Sequence, residues 1–385
     1  MAVLKRILVL NAGSSSLKAS VLEVGADGRV GVTRRPMAAT QTAWGSDATR
    51  VVDRRATVAA ALAELWRAAD LAPTAVAGAG HRVVHGGARF VAPTLVDEAV
   101  LDEIGALEEL APLHNAVALD TLRAQRALLP SLPAVAVFDT SFHATLAEEA
   151  FVYPLPWRWY AEWGIRRFGF HGMSVAWSVR RAAELLERDP ANLRLIVAHL
   201  GSGCSVTAVD AGRSVSTSMG LTPLEGLAMG TRSGSVDPGI LLHVLRRRGL
   251  SADELADALD HESGLLGISG ISGDMRELSA AAAGGSRRAR LAIDIFVRRA
   301  AAGIAVAAAS LPRIDALIFT GGIGEHAADV RAAICARLAT LGIGPVAADG
   351  TGADALLSAP GSAVAVLRVE AREDVVIAEA VAALA

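Results

Sequence analysis

The sequence predicts an α/β fold built from two duplicated domains, and three observations carry that expectation. The first is a repeat. Near the start the chain reads Leu8-Val9-Leu10-Asn11-Ala12-Gly13-Ser14-Ser15-Ser16-Leu17-Lys18-Ala19-Ser20-Val21, and past the midpoint Ile196-Val197-Ala198-His199-Leu200-Gly201-Ser202-Gly203-Cys204-Ser205-Val206-Thr207-Ala208-Val209. Each is an apolar strand, a small-residue turn and a second strand. The second is length: 385 residues exceed what one hydrophobic core usually supports. The third is the alternation of strand-length apolar runs with helix-period segments, the pattern of a sheet covered by helices.

Taken in order, the first hairpin is followed by a helix-like segment, Thr57–Ala69, with Leu62, Leu65 and Trp66 on one face. Ala75–Val84 is an apolar segment punctuated by glycine, ending in Gly80-His81-Arg82-Val83-Val84-His85-Gly86-Gly87. Ala134–Phe138 is a short strand running into Asp139, a carboxylate at the sheet end where α/β folds place ligands. A connector rich in proline and tryptophan, Tyr153 to Tyr160, marks the start of the second domain. Four of the six tryptophans fall between Trp157 and Trp177, which predicts a packed seam. The second half repeats the hairpin and adds a strand, a glycine turn and a helix over Leu317–His326. The expected domains are 1–150, with a C-terminal helix 374–385 packing back on it, and 151–373.

Composition narrows the function. Hydrophobic residues at 52% and charged residues at 20% describe a well-cored globular chain. A net charge of −3 makes no electrostatic case for nucleic acid or a membrane surface. The arginine clusters Arg246-Arg247-Arg248 and Arg298-Arg299 read as solvated helix faces. The longest apolar run, Ala300–Leu311, is short of the ~20 residues a bilayer needs. With no signal peptide visible and only two cysteines, a cytoplasmic location is expected.

Glycine and serine turns let backbone N–H groups and short hydroxyls approach an anion, so paired hairpins suggest a phosphate grip and phosphoryl transfer. Lys18, on the strand after the turn, can reach back to a phosphate as a point charge. Asn11, at the strand end, could hold a water or a magnesium ion. Arg82 and Arg232 lie in glycine-punctuated contexts suited to bidentate contact with carboxylate or phosphoryl oxygens, the alternative for Arg232 being an ion pair with Glu225. Asp139 and Glu373 suit magnesium, which takes one or two carboxylates plus phosphate oxygens. His81 and His85 are four apart on an extended segment, and a zinc site is rejected.

On these blocks, together with Ala111–Asn115, Arg166–Gly172, Leu221–Gly234 and Gly270–Arg276, the chain resembles the acetate kinases, short-chain acid kinases of the actin–hexokinase-like group. The blocks run in family order over essentially the whole chain. The resemblance implies two duplicated actin/hexokinase-like (ribonuclease H-like) domains with an interdomain active-site cleft. It also implies reversible transfer from ATP to acetate, giving ADP and acetyl phosphate, with Mg2+ (or Mn2+) and a homodimer. By motif, Asn11 and Glu373 would hold the metal, and Ser14, Ser16 and Lys18 would face phosphates. Arg82 and Arg232 would bind acetate and the migrating phosphoryl group. His171 would stabilise its equatorial oxygens, and Asp139 is the family's active-site carboxylate. His199, Leu200, Gly201, Ser202 and Gly203 would contact nucleotide, as would Asp274, Met275, Arg276, Gly322, Ile323, Gly324, Glu325 and His326. Val84, Leu113, Phe170 and Pro223 match the pocket for the acetate methyl group.

The sequence departs from the family pattern at Ser202 (usually asparagine), Ser235 (usually an acid), His326 (usually asparagine) and Ala371-Arg372-Glu373-Asp374. Rival readings are a propionate or butyrate kinase of the same family, a catalytically weakened nucleotide-binding paralogue, and an actin-like filament protein or sugar kinase. Val84 favours acetate, because a smaller residue there would admit a longer acid.

Overall fold

The computed structural model describes residues 4–13, 16–31, 34–44, 54–108, 112–346 and 353–385. The chain divides into two compact units, Met1–Ala144 with Arg372–Ala385, and Thr145–Ala371.

The first unit is built on a six-stranded sheet. Its strands are β1 (Lys5–Ala12), β2 (Ser16–Val24), β3 (Ala38–Ala43), β4 (Gly78–Val83), β5 (Thr94–Leu95) and β6 (Ala134–Phe138), in the order β3-β2-β1-β4-β6-β5. β1, β2 and β3 are antiparallel neighbours, β1, β4 and β6 are parallel, and β5 pairs antiparallel with β6. The centre of β1 and all of β6 are buried on both faces, as continuous apolar runs require.

Helices cover both faces. Arg54–Ala69 buries Val58, Ala61, Leu62 and Leu65, with Trp66 packed beside them. Pro112–Leu128 turns Val117 and Ala124 into one apolar cluster and Ala118, Leu119 and Leu122 into another. The helix Glu373–Leu384 buries Val375, Ile377, Ala378 and Val381. It lies so close to β4 that a side chain at Gly80 would overlap Ile377 and Val381. Lys5 Nζ fastens the end of that helix, donating to Ala382 O at 3.0 Å and Ala385 O at 2.6 Å.

The second unit repeats the plan. Its strands are β7 (Arg194–Leu200), β8 (Cys204–Asp210), β9 (Arg213–Thr217), β10 (Ala316–Thr320), β11 (Ala355–Leu356) and β12 (Ala365–Arg368), in the order β11-β12-β10-β7-β8-β9. β7, β8 and β9 are antiparallel neighbours, β7, β10 and β12 are parallel, and β11 is antiparallel to β12. Strand for strand this is the first sheet again, so the fold is the expected duplicated α/β architecture. Covering helices include Gly172–Leu185 and the long Arg287–Ala308, whose buried face carries Ala289, Ala292, Phe296, Ala300 and Ile304. Small residues let that helix sit close to the sheet.

The tryptophans behave differently from the expected seam. Trp177 is buried and donates to Glu370 O at 2.8 Å, whereas Trp157 and Trp163 are 62% and 59% exposed. No helix among the described residues is long and apolar enough to cross a membrane.

Candidate functional site

In the first unit, three parallel strands end side by side, and their C-terminal ends carry the candidate residues. Asn11 is next to last in β1, Arg82 next to last in β4, and Asp139 follows β6 directly. The parallel register sets Arg82 opposite Val137, two residues before Asp139. The Asp139 N–H donates to Val83 O at 3.0 Å, extending the ladder by one residue.

The Arg82 guanidinium grips the Asp139 carboxylate from Nε, at 3.1 Å to both oxygens, and from Nη2, at 2.6 Å to Oδ2. Arg82 Nη1 donates to Asn11 Oδ1 at 3.4 Å, and Asn11 Nδ2 donates to Glu373 Oε2 at 3.0 Å. One polar chain therefore links Asp139, Arg82, Asn11 and Glu373. Asp139 is fully buried. Burial alone would lower the Arg82 pKa, but the Asp139 and Glu373 charges outweigh it and hold the guanidinium cationic. For Asp139, burial pushes the carboxyl up and Arg82 pulls it back, while the Glu373 charge adds to the upward push; the net direction is up. Two carboxylates thus crowd one cation.

The remaining first-unit candidates lie around this chain. Lys18 sits opposite Asn11 in the hairpin and is exposed. Ser16 opens β2, and its carbonyl accepts from Gly13 N–H at 2.9 Å. Ser14 lies outside the described residues, as does the side chain of Leu113 on the helix Pro112–Leu128. Val84 is buried just past β4. His81 lies within β4 and His85 two residues past its end. His81 Nε2 pairs with Gln125 Oε1 at 3.1 Å, and burial pushes this imidazole down to about 4. His85 is clamped by Asn115, whose amide accepts from the His85 N–H and donates to its carbonyl, both at 3.0 Å.

In the second unit the glycine turns converge. His171 caps the helix Gly172–Leu185 in a left-handed conformation, φ 59°, unusual for a residue with a Cβ. Its Nδ1 pairs with Ser205 Oγ at 3.0 Å, and its ring stacks on His199 with centroids 4.1 Å apart. His199 Nδ1 in turn pairs with Ser174 Oγ at 2.8 Å. A Cβ at Gly203 would stand 3.4 Å from His171 Nε2 and 3.5 Å from Arg232 Nη1, so both cationic or polar tips face the Gly201–Gly203 turn. Leu200 is buried at the end of β7, and Ser202 on the turn is exposed, its carbonyl accepting from Gly230 N–H at 3.1 Å. The Gly230 and Gly273 backbones pack together.

Arg232 Nη1 donates to Pro223 O at 3.3 Å, and its Nε lies 3.8 Å from Asp260 Oδ1. Glu225, the ion-pair partner considered for Arg232, bonds Arg167 instead, at 2.7 Å. Phe170 is buried.

Asp274 caps the helix Met275–Ala283 by accepting from Arg276 N–H at 2.8 Å, with Met275 buried behind it. The Arg276 side chain, almost fully exposed, bonds the same carboxylate and holds it down at about 2.

Gly322, Ile323 and Gly324 lie in the short helix Gly321–His326. The anion place at its start is taken: Glu325 Oε1 accepts from Gly321 N–H at 2.9 Å and from Ala371 N–H at 3.0 Å. Burial raises the Glu325 pKa. Glu325 therefore supports the turn from within, and His326 beside it is exposed. At the Ser235 departure, the hydroxyl accepts from Gly226 N–H at 3.1 Å, tying two loops together without a charge.

Sequence reasoning passed over Tyr153, Arg167 and Asn115 as site-supporting residues. No local pattern distinguishes them, because their partners are distant in the chain.

Residues 6–379 match the Acetokinase family. The chain belongs to the acetokinase family. An acetate kinase of Synechococcus sp. is 47% identical over 396 residues, covering 97% of this chain and 98% of the relative. The acetate kinase of Bacillus subtilis is 40% identical, covering 99% of this chain and 100% of the relative. Among solved acetokinase-family structures, the acetate kinase of Porphyromonas gingivalis superposes with a TM-score of 0.85 at 32% identity, covering 99% of both chains. A propionate kinase of Francisella tularensis superposes with a TM-score of 0.86 at 36% identity, covering 99% of this chain and 100% of the other.

Proposed function

We propose that this chain transfers the γ-phosphoryl group of ATP to acetate, reversibly and in line, giving acetyl phosphate and ADP. The observation that carries this reading is the Asp139–Arg82–Asn11–Glu373 chain at the ends of three parallel strands, within a chain of the acetokinase family.

A carboxylate with a pKa near ~4–5 is ionised at neutral pH, so the nucleophile needs no general base. An acetate oxygen attacks the γ-phosphorus while the bond to the β–γ bridging oxygen breaks, and the electron pair leaves on ADP. No proton moves. The work left to the protein is alignment and neutralisation of charge. Arg82, held in place and kept cationic by Asp139, and Arg232 are assigned to the acetate carboxylate and the migrating phosphoryl group. His171, fixed by Ser205 and His199, is assigned to the equatorial oxygens. Ser14, Ser16 and Lys18 are assigned to the phosphates. The turns at His199–Gly203, Asp274–Arg276 and Gly322–His326 are assigned to the nucleotide. Val84, Leu113, Phe170 and Pro223 are assigned to the methyl group.

The donor set fits Mg2+, with Mn2+ as a substitute. Asn11 offers an amide oxygen and Glu373 a carboxylate, both hard ligands, and the mutual repulsion of Glu373 and Asp139 is what a divalent cation relieves. When bound, the ion supplies charge neutralisation at the phosphates. The same reading makes the protein a cytoplasmic homodimer, to be checked by fractionation and light scattering.

The deciding experiment traps acyl phosphate with hydroxylamine, using ATP and Mg2+ with acetate, propionate or butyrate, beside an Arg232→Ala control. Acetate is expected to be preferred, with propionate used less well, since one methylene discriminates by only ~1–3 kcal/mol. The control should lose roughly 10²–10³ in kcat. No turnover with any acid, despite ADP binding, would turn the reading to a nucleotide-binding paralogue.

A further inference from the structure

Between β9 and the helix Pro238–His243 the chain runs from Ser218 to Asp237 without helix or strand. A segment of that length inside a domain must have its backbone groups met from elsewhere. Two side chains from outside the segment, those of Arg167 and Tyr153, do so, and Glu225 within it joins them. Arg167 Nη1 donates to Thr217 O and Ser218 O, each at 3.2 Å, and to Met219 O at 2.9 Å. Arg167 Nη2 donates to Glu225 Oε1 at 2.7 Å. The other Glu225 oxygen accepts from the Tyr153 hydroxyl, and that hydroxyl accepts from Leu221 N–H at 3.0 Å. The Arg167 guanidinium also lies over the Tyr153 ring, 5.3 Å from its centroid. A Cβ at Gly220 would overlap both Tyr153 and Glu225, so only glycine lets the loop close on this network.

Both ends of the network lead to residues assigned to the reaction. Downstream, Glu225 is two residues from Pro223, whose carbonyl accepts from Arg232. Upstream, the Gly220 carbonyl accepts from Phe168 N–H at 3.0 Å and Gly169 N–H at 3.3 Å, three and two residues before His171. We propose that Tyr153, Arg167 and Glu225 are positioning residues: they set the loop that aims Arg232 and, through Gly220, the segment that presents His171. This rests on the reading that Arg232 and His171 serve phosphoryl transfer. It also gives the connector Tyr153–Tyr160 a use beyond joining two halves. Burial pushes the Tyr153 hydroxyl above the ordinary phenol range, Arg167 opposing and Glu225 reinforcing, so it stays a neutral donor at working pH.

The test is a cycle of four full-length proteins: wild type, Tyr153→Phe, Arg232→Ala and the double variant, assayed for acyl phosphate with acetate and followed by thermal unfolding. Tyr153→Phe removes one hydroxyl and keeps the ring. Small misplacement of a catalytic group costs as much as about 10²-fold, so kcat should fall about 10- to 100-fold. KM for acetate should rise, KM for ATP should hold, and the unfolding midpoint should stay near wild type. In the Arg232→Ala background the same change should cost at least about threefold less than in wild type, because one of the two groups it positions is gone. Equal losses in both backgrounds, or equal rises in both KM values, would overturn the assignment while leaving the kinase reading intact. A folded wild type without turnover would overturn the kinase reading and this inference with it. Should Tyr153→Phe unfold, Glu225→Gln replaces it in the cycle with the same expected and overturning outcomes.

Discussion

Arg82 carries one charge and serves two masters, the buried Asp139 behind it and the acetate proposed in front. Three hydrogen bonds from a planar guanidinium leave little freedom of rotation. Asp139→Asn keeps the shape and removes the charge, leaving a mostly buried cation (side chain 17% exposed) with weaker compensation. Breaking a buried pair from one side costs about 3–5 kcal/mol. The expected outcome is a stability loss near the lower end, since Glu373 also faces Arg82, with turnover down about 10²-fold. Urea denaturation and the hydroxylamine assay check the two parts. A loss under ~1 kcal/mol with unchanged turnover would show that Asp139 neither holds nor orients Arg82. At this scale the residue types were legible, because a charged side chain running into two valines demands a partner. Which acid pairs with which arginine was not. Glu225 is near Arg232 in sequence, yet it bonds Arg167, since the loop folds back through Gly220.

Elements place these residues, and β4 shows how narrowly. It is covered on one side by the helix Glu373–Leu384 and carries His81, which bonds Gln125 of the helix Pro112–Leu128. At Gly80 the first helix presses on bare backbone, so Gly80→Ala would strike Ile377 and Val381 and shift the helix that bears Glu373. A loss of about 1–3 kcal/mol is expected from the overpacking. Ile377→Ala in the same chain should give a combined loss smaller than the sum of the two single losses by at least ~0.5 kcal/mol. Additive losses in thermal unfolding would place the strain elsewhere.

His81 supplies the pH dependence. Its pKa falls from 6.5 in the unfolded chain to about 4 in the fold, chiefly by burial. The unfolded state therefore binds the proton first, and stability falls as pH drops from about 6.5 toward 4. That difference amounts to about 3 kcal/mol. Urea titrations at pH 7 and pH 4 should show His81→Gln losing less than wild type by about that amount; parallel losses would mean that His81 opens to solvent before it charges. Strand and helix identities were legible from apolar runs and period. The helix-to-strand contact at Gly80 was not, because a glycine in a strand signals close approach without naming what approaches.

At the scale of the whole molecule the duplication was the most legible feature, since two similar hairpins in one chain call for two similar sheets. The strand order confirms it down to the short antiparallel strand at each outer edge. The tryptophan seam failed because an aromatic count says nothing of which rings a short helix turns outward. The units also differ in how the chain builds them. Thr145–Ala371 is continuous, whereas Met1–Ala144 is completed by Arg372–Ala385. The returning helix fills the surface over Gly78 and Gly80, buries Val375, Ile377, Ala378 and Val381, and brings Glu373 to Asn11. Removing residues 372–385 strips Val375, Ile377 and Val381 from the first unit, each worth about 1.5–3 kcal/mol, with the smaller Ala378, against a typical domain stability of about 5–15 kcal/mol. The shortened chain should therefore lose the first unit's cooperative transition and keep the second's. Hydrogen exchange checks this strand by strand: amides of β1, β4 and β6 should lose protection while those of β7, β8 and β10 retain it. Uniform loss would mean that the second unit cannot stand without the first, and uniform retention that the returning helix contributes a carboxylate but not the fold.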